Sequence, residues 1–150
     1  MKSEPPPSVR NSDEFAVGLF RPHGRAQMWS EGSIIYSVAE GPFNAEFVKA
    51  LQLARGDLVA KTKIAAIHGH IVQVHTSMMA SPDMLENYAR FIEGLGETIA
   101  TATAWVIAPE VEGRAFMLPL FEQLYAERKL NFKAFEKLAD AQAWVHSFVD

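Results

Sequence analysis

The segment at residues 63–85, KIAAIHGHIVQVHTSMMASPDML, restricts the fold of this chain more than any other stretch. Its apolar residues, at 64–67 and again at 71–72, leave no consistently polar face, which is typical of a strand buried on both sides. The Ser-Pro-Asp at 81–83 predicts a helix start, because serine accepts an orphan backbone N–H, proline lacks one and aspartate complements the helix dipole. Open α/β sheets usually carry their sites between such a strand and helix. We therefore expect the functional site in this loop.

Strand and helix patterns alternate along the rest of the chain. A first strand is expected at residues 15–20, and a hairpin turning at Glu31 and Gly32 joins strands at 26–30 and 33–39. The later elements are helices from Asn44 to a stop at Gly56 and at 82–95, 112–129 and 139–148, and strands at 101–108 and 130–135. This order predicts a single-domain α/β fold: a mixed β-sheet with N-terminal antiparallel strands and parallel βα units, and helices packed on the sheet.

Composition narrows the class of protein. The 150 residues are enough for one domain, and the prolines at positions 5–7 favour a disordered N-terminal tail at residues 1–13 before a domain at residues 14–150. The net charge of −4 gives no electrostatic reason to bind nucleic acid or an anionic membrane. The absence of cysteine excludes disulfides, thiolate catalysis and cysteine-bound metals. With no membrane span and no apolar signal-peptide core, we predict a cytoplasmic protein without a cofactor.

Three histidines form the sharpest polar cluster in the sequence. In a strand, His68 and His70 point to the same face, about 7 Å apart, and His75 follows at the strand exit. Three converging imidazoles could bind zinc or another divalent ion. The alternative is that they are hydrogen-bonded or solvated residues of a strand end, since no carboxylate stands at a recognised ligand spacing. We expect no metal, and these three residues are the weak candidates for binding one.

The loop after the predicted strand is the candidate ligand or partner site. Its members are His75, Thr76, Ser77, Met78, Met79, Ser81 and Asp83. Hydroxyl groups before a helix N-terminus suit an anion, or phosphorylation of Ser81 beside Asp83, whereas the simpler alternative is that Ser81 caps the helix. Met78 and Met79 either line an adaptable apolar pocket or plug the edge of the sheet.

Three segments resemble the SpoIIAA-like branch of the STAS-domain family, whose fold is similar to the CRAL-TRIO lipid-binding fold. They are GPFN at 41–44 before an amphipathic helix, residues 64–72 followed by SPDM at 81–84, and FEKLADAQAWV at 135–145. The resemblance covers roughly residues 15–150. It implies a mixed sheet covered by helices, and a regulatory or ligand-binding role in a bacterium rather than catalysis.

The same resemblance bears on individual residues. Some members of the family carry a phosphorylated serine at a helix start after a buried strand, and Ser81 stands nearest that place, although the Asp-Ser-Ser/Thr-Gly signature is absent. In CRAL-TRIO-like folds an apolar helix borders the ligand cavity, and here such a helix would be core or cavity wall through Phe116, Met117, Leu120, Phe121 and Tyr125.

These observations favour one function and leave one alternative. We expect a non-enzymatic regulatory or binding module that takes a protein partner or a small apolar, lipid-like ligand near residues 75–83. Self-association as a homodimer is a further expectation, because the apolar fraction of 49% is high for a small acidic domain. The alternative is a metal-dependent enzyme that uses His68, His70 and His75.

Overall fold

The computed structural model describes residues 9–18 and 20–149, which form one mixed sheet covered by helices. The strands are β1 Arg10–Asn11, β2 Arg25–Glu31, β3 Ile34–Glu40, β4 Gly69–His75, β5 Ala102–Ile107 and β6 Asn131–Phe135. The helices are α1 Ala45–Lys61, α2 Pro82–Leu95, α3 Arg114–Glu127 and α4 Leu138–Val149. Strands β1 to β3 are antiparallel, and β3 to β6 are parallel and adjacent in chain order. The predicted α/β fold class is confirmed.

The two faces of the sheet carry separate cores. Because successive strand residues point to opposite faces, Val72 and Trp105 join the core beneath α1, α2 and α3, whereas Ile71 belongs to the core beneath α4. Helix α4 lies close to the sheet at Gly69, where an added Cβ would collide with the side chain of Val145. The larger core, on the face of α1 to α3, is the one that contains the candidate site.

Helix α1 is longer than its sequence pattern predicts. It begins at the predicted cap, where the Asn44 side chain accepts a hydrogen bond of 3.0 Å from the backbone N–H of Phe47. The predicted stop at Gly56 is wrong, because the helix runs on to Lys61. A helical glycine costs only about 1 kcal/mol relative to alanine, and the extra turn buries Leu58 completely in a core with Met28 and Ile35.

Two strands do not lie where the sequence pattern predicts them. Residues 12–15 form a short 3-10 helix, and Phe20, at the end of the predicted first strand, is 72% exposed; position 19 lies outside the described residues. The buried strand expected from residue 64 begins only at Gly69, and Ile67 is 61% exposed. Phe20 and Ile67 match the strand pattern without being covered by another element, whereas Phe15 and Ile64 are partly buried against the core that contains Leu58.

The predicted tail is also wrong for the part that the structure describes. Arg10 and Asn11 pair with β2, and Arg10 forms an ion pair of 2.6 Å with Asp57 in α1. Ser12 is buried and accepts a hydrogen bond of 2.8 Å from the backbone N–H of Ala26. The domain therefore begins before residue 14, and residues 1–8 of the predicted tail lie outside the described residues.

Candidate functional site

A cavity lies between the sheet and helices α1 and α2. Its volume is about 60 Å³, counted as the space open to the centre of a water-sized sphere. Strands β2 to β5 supply one wall, and aromatic side chains supply much of the rest: Phe43, Phe47, Phe91, Trp105 and Phe121. An interior of this kind suits a small, largely apolar molecule.

The polar groups of the cavity include a cluster near the end where β4 and β5 begin. They are Ser37 from β3, Arg55 from α1, His68 just before β4, His70 from β4 and Thr103 from β5. His70 and Thr103 are direct neighbours in the parallel register. The strand pairing therefore brings together side chains that lie far apart in sequence, and α1 places a cation above them.

Arg55 is a buried cation without a carboxylate partner among the described residues. The residue is 8% exposed, and its Nη2 donates a hydrogen bond of 2.8 Å to the carbonyl oxygen of Thr98. None of the ion pairs among the described residues includes it. Burial lowers the pKa of the guanidinium, yet an arginine stays protonated at neutral pH. Leaving a buried charge uncompensated typically costs about 3–5 kcal/mol, so this arrangement needs an explanation.

The two cavity histidines are neutral at pH 7. The Nδ1 of His68 lies 2.9 Å from the carbonyl oxygen of Ala65 and is therefore its protonated nitrogen, whereas the buried Nε2 has no hydrogen-bond partner among the described residues. The Nε2 of His70 lies 2.8 Å from the Ser37 hydroxyl. Burial lowers the pKa of both imidazoles, to about 3 for His70, and the nearby Arg55 lowers both further. Arg55 thus supplies the positive charge of this cluster.

Two tyrosines and a tryptophan line the cavity as well, and Tyr88 is close enough to Arg55 for the two to interact electrostatically. The hydroxyl groups of Tyr88 and Tyr125 lie 2.8 Å apart, and burial raises the pKa of both, to about 12 for Tyr88. The indole N–H of Trp105 is buried without a hydrogen-bond acceptor in the described part of the chain. Buried polar atoms without partners are uncommon in proteins. Two of them, on His68 and Trp105, belong to residues that line this cavity.

The predicted loop site lies at the other end of β4. None of the residues at positions 75–83 lines the cavity. Met78 is fully buried, so of the two alternatives for the methionines it fits the plug and not the pocket. Met79 packs against the same core. Ser77 is buried, and its hydroxyl accepts a hydrogen bond of 3.0 Å from the backbone N–H of Met79. The centre of the loop is therefore a packed connection.

The remaining loop residues cap or face outward. The Ser81 hydroxyl accepts a hydrogen bond of 3.1 Å from the backbone N–H of Met84, so it caps α2 as the simpler alternative predicted. His75, Thr76 and Asp83 are exposed, and Thr76 has a left-handed backbone with φ of 70°. Phosphorylation of Ser81 stays a prediction.

The three histidines do not converge. His75 lies five residues beyond His70 on the strand, about 16 Å away, and its side chain points to the opposite face of the sheet. No group of three or more metal-binding side chains occurs at residues 9–18 or 20–149. The alternative in which His68, His70 and His75 bind one ion together does not fit these positions, because the length of β4 separates His75 from the other two.

The apolar residues of α3 have three different positions. Phe121 and Tyr125 line the cavity, and Met117 is buried in the core. Phe116 and Leu120 are 69% and 39% exposed on the outer side of the helix. The expectation of core or cavity wall is therefore wrong for Phe116 and Leu120, which present an apolar surface, and it holds for the other three residues.

Arg55 is the residue that the sequence-based site prediction missed, although its spacing carries a signal. Phe47, Leu51 and Arg55 follow one another at four-residue intervals, and all three line the cavity. Positions four apart lie on one helix face, so a charged residue was placed on the buried stripe of α1. A cation in an otherwise apolar stripe is an indication of a buried polar site.

Comparisons of the chain with family models, with curated proteins and with solved structures found no match. Within the part of the chain that the structure describes, no helix is long and apolar enough to cross a membrane.

Proposed function

We propose that this domain is a non-enzymatic binding module that takes up a small, largely apolar ligand in the cavity between the sheet and helices α1 and α2. The observation that carries the proposal is the cavity itself, with an apolar wall and a few polar groups at one end. Binding sites for small molecules combine these two features: the apolar wall supplies affinity and the polar groups set orientation. The resemblance to STAS and CRAL-TRIO-like domains supports the same role.

The chemistry of the polar groups supports binding rather than turnover. His70 shares its Nε2 with the Ser37 hydroxyl, no hydroxyl group among the described residues is hydrogen-bonded to the Nε2 of His68, and Arg55 cannot act as a base at neutral pH. A serine nucleophile needs a base that is itself oriented by a third group, and no carboxylate is paired with His70 in the described chain. The groups present are suited to holding a ligand in one orientation.

Trp105 provides a direct test, because it lines the cavity whereas Trp29 and Trp144 pack against the core on the other face. In a Trp29→Phe, Trp144→Phe variant, indole fluorescence reports on the cavity alone. Titration with 1-hexanol should shift the Trp105 emission in a saturable manner and raise the melting temperature, because a ligand that binds the folded state stabilises it.

The matched control is Trp105→Phe in the otherwise native chain. It should retain the increase in melting temperature and lose the saturable spectral change. If neither the melting temperature nor the Trp105 emission changes on titration with hexanol and its shorter homologues, uptake into this cavity is contradicted.

A protein partner, a homodimer and a cytoplasmic location stay predictions. The surface that favours a partner is formed by Phe116 and Leu120 on the outer side of α3, because adjacent exposed apolar residues often mark contact sites. Light scattering tests the homodimer, and a monomer at high protein concentration would exclude it.

A further inference from the structure

We infer that the ligand is a small monocarboxylic acid, and that its carboxylate binds Arg55 while its apolar part lies among the aromatic side chains of the cavity. The inference rests on the proposed function and adds the chemical class of the ligand. It comes from a second observation, the buried guanidinium, which the apolar wall alone does not explain.

The charge of the cavity matches a monoanion. Arg55 is 8% exposed, and its one hydrogen-bond acceptor among the described residues is the carbonyl oxygen of Thr98, which leaves further N–H groups of the guanidinium without an acceptor there. The planar guanidinium fits the two oxygens of a carboxylate. His68 and His70 are uncharged at neutral pH, so a phosphate ester with a charge near −2 would remain partly uncompensated.

The neighbours of Arg55 and the size of the cavity narrow the ligand further. The Thr103 hydroxyl lies in the same lining as Arg55 and can donate a hydrogen bond to a carboxylate, and the Ser37 hydroxyl can do so when the Nε2 of His70 donates to it. A volume of about 60 Å³ suits a short acid, whereas a diacyl lipid would require the helices to separate widely. The aromatic wall accepts either an aliphatic chain or a ring.

The experiment compares hexanoate with 1-hexanol, which have nearly the same shape and differ in charge. Calorimetric titration of the full chain at pH 7 should give a dissociation constant for hexanoate at least tenfold lower than that for 1-hexanol. The net charge of −4 opposes non-specific attraction of an anion, so a preference for the acid requires a local cation. This comparison needs no variant.

Variants then assign the preference to Arg55. Arg55→Met keeps a side chain of similar length without the charge, and it should bind both probes with equal affinity. Arg55→Lys keeps the charge and should retain part of the preference, which keeps the assignment testable if the methionine variant does not fold. Lys49→Met removes an exposed positive charge from the same helix and should behave like the wild type.

The possible results separate the two proposals. Equal binding of hexanoate and hexanol by the wild type would overturn the carboxylate inference and leave the apolar binding module standing. A preference for hexanoate that survives in Arg55→Met would also overturn it, because the anion would then bind elsewhere. Failure of both probes to bind would contradict the proposed function, and the inference with it.

Discussion

Arg55 is a charged residue in a position that disfavours charge. The residue is 8% exposed, has no carboxylate partner among the described residues, and donates one hydrogen bond there, to the carbonyl oxygen of Thr98. The side chain lines the cavity on the same stripe of α1 as Phe47 and Leu51. A purely structural position on this stripe would favour an apolar residue. The effect of replacing Arg55 on the stability of the ligand-free protein therefore tests whether the residue serves the fold.

We expect Arg55→Met to raise the free energy of unfolding of the ligand-free protein by about 1–2 kcal/mol. Replacing a buried charge by an apolar residue of similar volume is often stabilising, and the loss of the bond to the Thr98 carbonyl offsets part of the gain. Urea denaturation measures the change, with Lys49→Met expected within about 0.5 kcal/mol of the wild type. A loss of more than 2 kcal/mol in Arg55→Met would instead make Arg55 a structural anchor.

At the scale of elements, two glycines have opposite structural roles. Gly56 lies in the middle of α1, and an added Cβ there would meet no atom within 4 Å. Gly69 begins β4, and a Cβ there would collide with Val145 of α4. The first glycine is a weak point of a helix, and the second permits the close packing of α4 against the sheet.

Alanine substitutions should therefore change stability in opposite directions. Gly56→Ala should raise the free energy of unfolding by about 0.5–1 kcal/mol, because alanine favours the helix and meets no neighbour. Gly69→Ala should lower it by about 1–3 kcal/mol, because α4 must shift or Val145 must leave its rotamer. Chemical denaturation of the two variants in parallel checks both. A neutral Gly69→Ala would mean that α4 is less tightly packed than described.

The sequence predicts most elements of the fold because their signals are local. The hairpin of β2 and β3, the Ser81 cap of α2 and the buried strand β5 follow from turn residues, caps and apolar runs, and their boundaries differ little from those predicted. The errors at Gly56 and in residues 64–67 have one cause. Whether each segment is a helix, a strand or a loop depends on the packing of other elements against it, and the local sequence pattern carries no information about that packing.

At the scale of the whole molecule, the loop site that the sequence predicts and the cavity lie at opposite ends of β4. The rule that sites follow the carboxyl ends of parallel strands favoured the loop after His75. In the structure this loop is packed and the cavity residues His68 and His70 lie at the amino end of β4. Arg55 reaches them from α1, and the pairing that brings Thr103 beside His70 depends on sheet register, which is a property of the assembled fold.

The neutral histidines of the cavity predict how stability depends on pH. The pKa of His70 is lowered to about 3 by burial and by Arg55, and burial lowers the pKa of His68 in the same direction, whereas an unfolded histidine titrates near 6.5. Below about pH 6.5 the unfolded chain binds protons that the folded chain does not, so stability is fully present above this value and falls as the pH falls.

Between pH 7 and pH 5, His70 alone should lower the free energy of unfolding by about 2 kcal/mol. Asp57 adds little in this window, because hydrogen bonds from Lys61 and Arg10 lower its pKa below 3.8 and it stays ionised in both states. In His70→Gln the amide can still reach the Ser37 hydroxyl, so the variant should fold. Its free energy of unfolding should fall less than that of the wild type between pH 7 and pH 5. Urea denaturation at the two pH values checks the difference, and equal slopes for His70→Gln and the wild type would mean that His70 is protonated within the fold.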